Sequence, residues 1–294
     1  MNKKPYLALF TSVVSVSFAA IFIVSVSDSV SSISIAFYRL LFTVLLISPF
    51  VLLNRYRRKE ILELPRSDLY FMCFIGLILA AHFALWITSL KYTSVASSVL
   101  LVTAHPIFVG PIAHYFLKEK LSWINTTGIA ISFFGVILLV YGNYGFTSLG
   151  LQNLEGNILA ILGGLAAGIY ILGGRKLRTK GVSIYSYAFI VYLIGSIALF
   201  FVAISFNVSL TGISLKDFGI IFLMAVVAGI LGHTLYNWSL EYIRASLASV
   251  ALLGEPIGSS LLAYILPWLQ QIPTVYTVIG GGFILFGIYL NTKK

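Results

Sequence analysis

Residues 89–107 read SLKYTSVASSVLLVTAHPI, and residues 239–257 read SLEYIRASLASVALLGEPI. The two stretches align without a gap at a constant offset of 150, and in each an ionisable residue stands directly before a proline: His105 before Pro106, Glu255 before Pro256. Further on, Gly128 and Gly135 match Gly280 and Gly287 once two residues are allowed for between them. The chain reads as a duplication with halves at 1–145 and 146–294.

Composition sets the solvent. With 59% apolar and 10% charged residues among 294, and a mean hydropathy of +1.00, the chain has too few polar groups to cover a water-exposed surface. A helix needs roughly 20 apolar residues to cross a bilayer core about 30 Å thick. Ten stretches qualify, at 6–26, 33–53, 69–90, 94–116, 122–141, 156–174, 185–205, 217–239, 245–266 and 274–291. They are continuous runs without the alternation of a membrane barrel, so the expected fold class is an all-α membrane protein. Each half holds five spans. Five is odd, so the second half enters the membrane upside down, and the expected architecture is two inverted five-helix repeats, a recurring build of secondary transporters.

The first run follows Lys3 and Lys4 as a signal peptide would, but its length and the lack of a convincing cleavage site make it a retained helix. The net charge of +10 marks orientation rather than nucleic-acid binding. With the N-terminus inside, the inner segments hold 16 of the 19 Lys and Arg, and the outer loops hold two, Lys91 and Lys216. Both termini are therefore expected on the cytoplasmic side of the cell membrane. Cys73 is the single cysteine, which leaves no disulfide framework and no metal-ligand spacing, and no cofactor is expected. No phosphate-binding glycine loop, HExxH pair or GxSxG elbow appears, so the chain reads as neither an ATP-driven pump nor an enzyme. An intramembrane enzyme using His82, His105 and Glu255, or a channel, stands as the alternative of a different class.

His105 lies about 11 residues into the fourth span and Glu255 about 11 into the ninth, from opposite sides; at 1.5 Å per residue both sit roughly 16 Å deep, near the midplane. A charge at that depth normally faces a cavity or a partner. The pair is a candidate for proton coupling and for meeting a ligand's charge, and the alternative is that Glu255 caps or braces helices. Pro106, Pro111 and Pro256 each free a carbonyl one turn earlier, as hinges or as packing kinks. His82 and Trp86 share one helix face, as do His233, Tyr236 and Asn237. Such faces suit a small-molecule pocket with aromatic walls, whereas Trp86 and Trp238 near span ends would also serve as interfacial anchors. Arg39, about 9 Å from the outer surface, either binds a carboxylate or phosphate or snorkels to the headgroups. "KEKLS" and "RKLRTK" read as solvated loops, with Glu119 able to brace a helix end, and the glycines of "GGLAAG" and "IGGGF" as packing surfaces.

SLKYTSVASSVLLVTAHPIFV leading into FLKEKLS, GNILAILGGLAAGIY opening the second half and LLGEP near its end together resemble the EamA-type permeases of the drug/metabolite transporter superfamily. Arg39 and Glu119 look like positions favoured in that family's first repeat. The second repeat departs from the pattern, with Leu269 where Glu119 would map and no basic counterpart of Arg39. The resemblance implies a ten-helix alternating-access carrier in the lipid bilayer, its partner a small polar metabolite. An amino-acid or related metabolite exporter or exchanger, coupled to protons, is the first expectation. An organic-cation carrier, with Glu255 as counter-charge and Trp86 as a wall, is the second. The candidate substrate-binding residues are His82, Trp86, His105, Tyr236, Asn237, Glu255 and Arg39.

Overall fold

The computed structural model describes residues 3–93, 95–144, 154–266 and 274–293; the expected boundary between the halves and Leu269 lie outside the described residues. Among the described residues the chain is helical and has no strand. Lipid supplies no hydrogen bonds, so each crossing segment satisfies its backbone within itself. Among the described residues, nine continuous or interrupted helical runs are long and apolar enough to cross a membrane. A further helix, α8 (Trp123–Tyr144), has a shorter apolar stretch at Trp123–Leu139.

Several expected spans are interrupted. The first consists of α1 (Lys4–Ser17) and α2 (Ala19–Ser25), joined at Phe18. After α3 (Ser32–Leu52), the expected linker is a short helix, α4 (Arg55–Glu63), capped by the Asn54 side chain. Next comes α5 (Arg66–Tyr92), followed by the fourth span, α6 (Val95–Val102) and α7 (Pro106–Phe116), which is broken by a turn at 103–105. In the second half, α9 (Leu154–Thr179) and α10 (Ile184–Ser205) are continuous. The eighth span starts as α11 (Leu215–Met224), widens into a π-helix over Ala225–Thr234 and ends as α12 (Leu235–Ser239). The ninth is α13 (Ala245–Ala251), a tight 3-10 turn over Leu252–Gly254, and α14 (Glu255–Ile265), after which α15 (Val275–Thr292) completes the described chain.

The breaks in the fourth and ninth spans have one cause. Pro106 takes the first position of α7 and Pro256 the second of α14, in the first turn where a missing N–H costs nothing. The carbonyl four residues earlier, Val102 or Leu252, then loses its α-helical donor, and that of Leu252 accepts instead from the Glu255 N–H in the 3-10 turn. Pro111 lies inside α7 on its exposed side, away from any break.

Packing pairs α5 with α9, α1 with the π segment, α3 with α10, and α8 with α15. The last pair is glycine against glycine: a Cβ on Gly135 would lie 2.6 Å from the Gly280 carbonyl oxygen, and one on Gly280 2.5 Å from that of Gly135. Gly128 meets Gly287 in the same way. Gly128 and Gly135 thus touch Gly287 and Gly280 in reverse order, so α8 and α15 run antiparallel. The main apolar core extends from α1 through the helices of both halves, and a smaller one joins Leu100 and Val250 to the α8–α15 pair.

One sequence expectation is corrected here. "RKLRTK" is not a solvated loop but runs on from α9, with Arg178 only 3% exposed, because its charges find partners on neighbouring segments.

Candidate functional site

Four interrupted spans and three continuous helices surround a cavity of about 60 Å³ in the interior of the bundle. Arg39 enters from α3, His82 and Trp86 from α5, His105 from the break between α6 and α7, Tyr170 from α9, and Glu255 from the start of α14. Val102 and Leu252, each four residues before one of these prolines, also line it. The ionisable residues of the two His-Pro and Glu-Pro sites therefore face one cavity.

His82 and Trp86 stack, with ring centres 5.9 Å apart and planes 9° from parallel. The His82 ring is held by its Nδ1, 2.9 Å from the Gly163 carbonyl. Trp86 is 4% exposed, which corrects the interfacial-anchor reading: α5 continues well beyond it to Tyr92. His105 Nδ1 lies 2.8 Å from Ser249 Oγ on α13, a hydrogen bond joining the two halves of the chain. The Glu255 carboxylate has no hydrogen bond or ion pair among the described residues, which removes the reading of that side chain as a cap.

Arg39 is the most unusual member. It is 1% exposed and does not snorkel, and its guanidinium carbon lies 4.1 Å from the centre of the Phe83 ring. Neither Nη1 nor Nη2 has a hydrogen-bond partner among the described residues. Ser12 Oγ, Trp86 Nε1 and Tyr236 OH are also buried without partners, and all three residues line the same cavity. Arginine and tryptophan nitrogens only donate, and serine and tyrosine hydroxyls donate readily. Buried polar groups are nearly always satisfied. The unmet demand in this cavity is thus for acceptor oxygens.

Asn237 is not a wall of the cavity. Its Nδ2 donates to the Tyr170 hydroxyl and to the His233 carbonyl, so it braces the wall from behind. A wheel of 3.6 residues per turn puts it beside His233 and Tyr236. Ser12, Thr103 and Tyr170 also line the cavity and are not among the sequence candidates. Single hydroxyls inside apolar runs give no periodic signal that distinguishes a cavity face from a helix contact.

At one end of the bundle lies a cluster of the opposite kind. Glu119 accepts from Arg175 Nε at 2.6 Å and from the Ala245 backbone N–H at 2.9 Å, bracing the start of α13 as one reading of the sequence expected. Arg175 Nη1 donates to the Leu240 and Glu241 carbonyls at 2.6 and 3.0 Å. Arg178 binds the Glu241 carboxylate and the carbonyls of Val182 and Asn237. Among the described residues no group of three or more His, Cys, Asp or Glu is placed to hold a metal ion.

Comparison with known proteins agrees with this architecture. The model of the EamA-like transporter family matches residues 3–141 and again 154–293. An uncharacterized transporter of Archaeoglobus fulgidus is 32% identical over 206 residues, covering 69% of this chain and 70% of its own. A second from the same organism is 23% identical over 299 residues, covering 100% of this chain and 99% of its own. The uncharacterized transporter YyaM of Bacillus subtilis is 25% identical over 207 residues, 70% of this chain and 67% of its own. A solved structure titled only as a crystal structure of a protein superposes with a TM-score of 0.80 at 15% identity, over 99% of this chain and 98% of that one.

Proposed function

The chain belongs to the EamA-like transporter family, and on that premise we propose that it carries amino acids or closely related zwitterionic metabolites across the membrane by alternating access. The observation that carries this reading is the Arg39 guanidinium: buried, without a partner on either Nη, and lining the same cavity as Glu255. Guanidinium matches a carboxylate in a planar, two-bond fork. Ser12, Trp86 and Tyr236 supply further donors around it. The substrate ammonium then faces Glu255 and the aromatic walls. A pure organic cation would meet Arg39 with no carboxylate to offset it, which disfavours the amine-carrier reading.

A cavity of about 60 Å³ holds only a few waters, whereas ligand sites usually exceed 300 Å³. Transport therefore involves separation of the cavity walls. Pro106 and Pro256 stand where the fourth and ninth spans are already interrupted, and we assign them the hinge role. The antiparallel glycine contacts of α8 with α15 support the reading of two inverted repeats, and the excess of Lys and Arg in the inner segments supports the reading of both termini as cytoplasmic. Glu255, with no partner of its own, is the proposed proton carrier, and His105 a second member of that path. We assign the direction as export or exchange.

The test is ligand-induced stabilisation of detergent-purified protein, since a ligand that binds the folded state raises Tm by mass action. Amino acids are expected to shift Tm, and amines lacking the carboxylate to leave it unchanged, with the amino-acid shift lost in Arg39→Met. A shift by quaternary amines alone would replace this reading with the organic-cation carrier.

A further inference from the structure

A second and larger cavity, about 650 Å³, lies between the end of α3, the start of α10, the π segment and α12. Its walls include Leu46, Phe50, Ile184, Leu231 and Trp238. Phe50 and Leu231 are 60% and 42% exposed, so the groove opens on the lipid side of the bundle. The hydroxyl of Thr234, another wall residue, is already engaged, donating to the Gly229 carbonyl at 3.1 Å. The remaining walls are aliphatic or aromatic side chains.

Its rim is different. Arg57 of α4 donates from Nη1 to the Phe50 carbonyl at 2.7 Å, and its guanidinium carbon lies 3.3 Å from the centre of the Tyr185 ring; both residues are walls of the groove. α4 begins Arg55-Tyr56-Arg57-Arg58-Lys59. Its two acids leave those arginines uncompensated. Glu60 caps α10, accepting from the Ser183 N–H at 2.8 Å and the Ser183 and Ser186 hydroxyls at 2.6 and 2.8 Å, and Glu63 pairs with Lys59 at 3.5 Å. That capping also docks the basic helix against the groove.

We propose that this groove is a binding site for an anionic phospholipid, with an acyl chain in the apolar cavity and the phosphate headgroup against Arg57 and its neighbours Arg55 and Arg58. Basic residues at the level of the headgroups select anionic lipids, and an apolar slot beneath them selects a chain over a soluble anion. The site shares a wall with the central cavity. The π segment and α12 present His233 and Tyr236 to the central cavity and Leu231, Thr234 and Leu235 to the groove, so a bound lipid buttresses that wall from outside.

The experiment measures Tm of delipidated protein in detergent against added phosphatidylglycerol, phosphatidylcholine with the same acyl chains, and inorganic phosphate. Phosphatidylglycerol is expected to raise Tm about 3–5 °C more than phosphatidylcholine, with phosphate inert. Arg57→Gln is expected to abolish the difference between the lipids, and Ala8→Trp, which fills the groove from α1, to weaken both. Equal stabilisation by the two lipids on the unaltered chain would overturn the proposal. So would a full shift by phosphate alone, or a phosphatidylglycerol preference that survives Arg57→Gln.

Discussion

Arg39 and Arg178 are almost equally buried, 1% and 3% exposed, and the fold treats them in opposite ways. Arg178 donates to two carbonyls and a carboxylate, and beside it Arg175 and Glu119 are just as fully engaged. Arg39 has an aromatic ring on one side and bare Nη groups in a cavity. A buried ion with partners is part of the scaffold, whereas one without them costs several kcal/mol unless something else supplies the bonds. On the proposed function, that contrast separates the groups that hold the helices from those that meet a ligand.

The sharpest way to break it is to remove a partner from the satisfied cluster. Glu119→Ala strips Arg175 and the Ala245 N–H of their acceptor, and is expected to cost about 3–5 kcal/mol of stability. Denaturation in detergent measures this; a loss below about 1 kcal/mol, the scale of an exposed ion pair, would mean that the cluster is not structural. The converse change, Arg39→Met, is expected to lower transport in proteoliposomes about 10- to 100-fold, the equivalent of one charged hydrogen bond. Its Tm should stay level or rise, because an unpaired buried charge has been removed. A marked fall in Tm with normal transport per folded molecule would make Arg39 a scaffold residue.

Glu255→Gln sharpens the comparison on the acidic side. Exchange of labelled substrate across proteoliposomes is expected to persist, while uptake driven by a pH gradient falls about tenfold; unchanged gradient-driven uptake would remove Glu255 from the proton path. The smallest effect concerns the contact between the halves. Ser249→Ala deletes the bond to His105 and is expected to cost about 1 kcal/mol, with transport nearly intact. Collapse of transport at full stability would mean that the Ser249 bond itself serves the proposed role of His105 in the proton path, rather than only joining the halves.

Much of this is legible in the chain. Helical spans follow from composition, because a bilayer offers unsatisfied backbone no alternative. Pro106 and Pro256 mark the interruptions of the fourth and ninth spans by removing a donor at a known place. His105 and Glu255, which the sequence sets at one expected depth, both line the cavity. The break at Phe18 and the π segment over Ala225–Thr234 carry no comparable mark. A helical wheel sets Asn237 on the cavity face, whereas its side chain is taken up by Tyr170 and the His233 carbonyl, and the wheel gives no sign of Tyr170, Ser12 and Thr103 at the cavity. Arg178 at the end of "RKLRTK" reads as solvated because its partners lie far along the chain, the most distant at Glu241.

By itself the sequence determined the solvent of this protein, its run of helices, the likeness of its two halves and the place of its ionisable groups within their spans, all of which depend on local composition and on distance along the chain. Only the tertiary structure decided which of those groups would be paired. Whether an arginine meets a carboxylate or an empty cavity depends on how helices are rotated against neighbours from the other half of the chain. Side chains far apart in the chain, such as His105 and Ser249, set that rotation, and no local period records it.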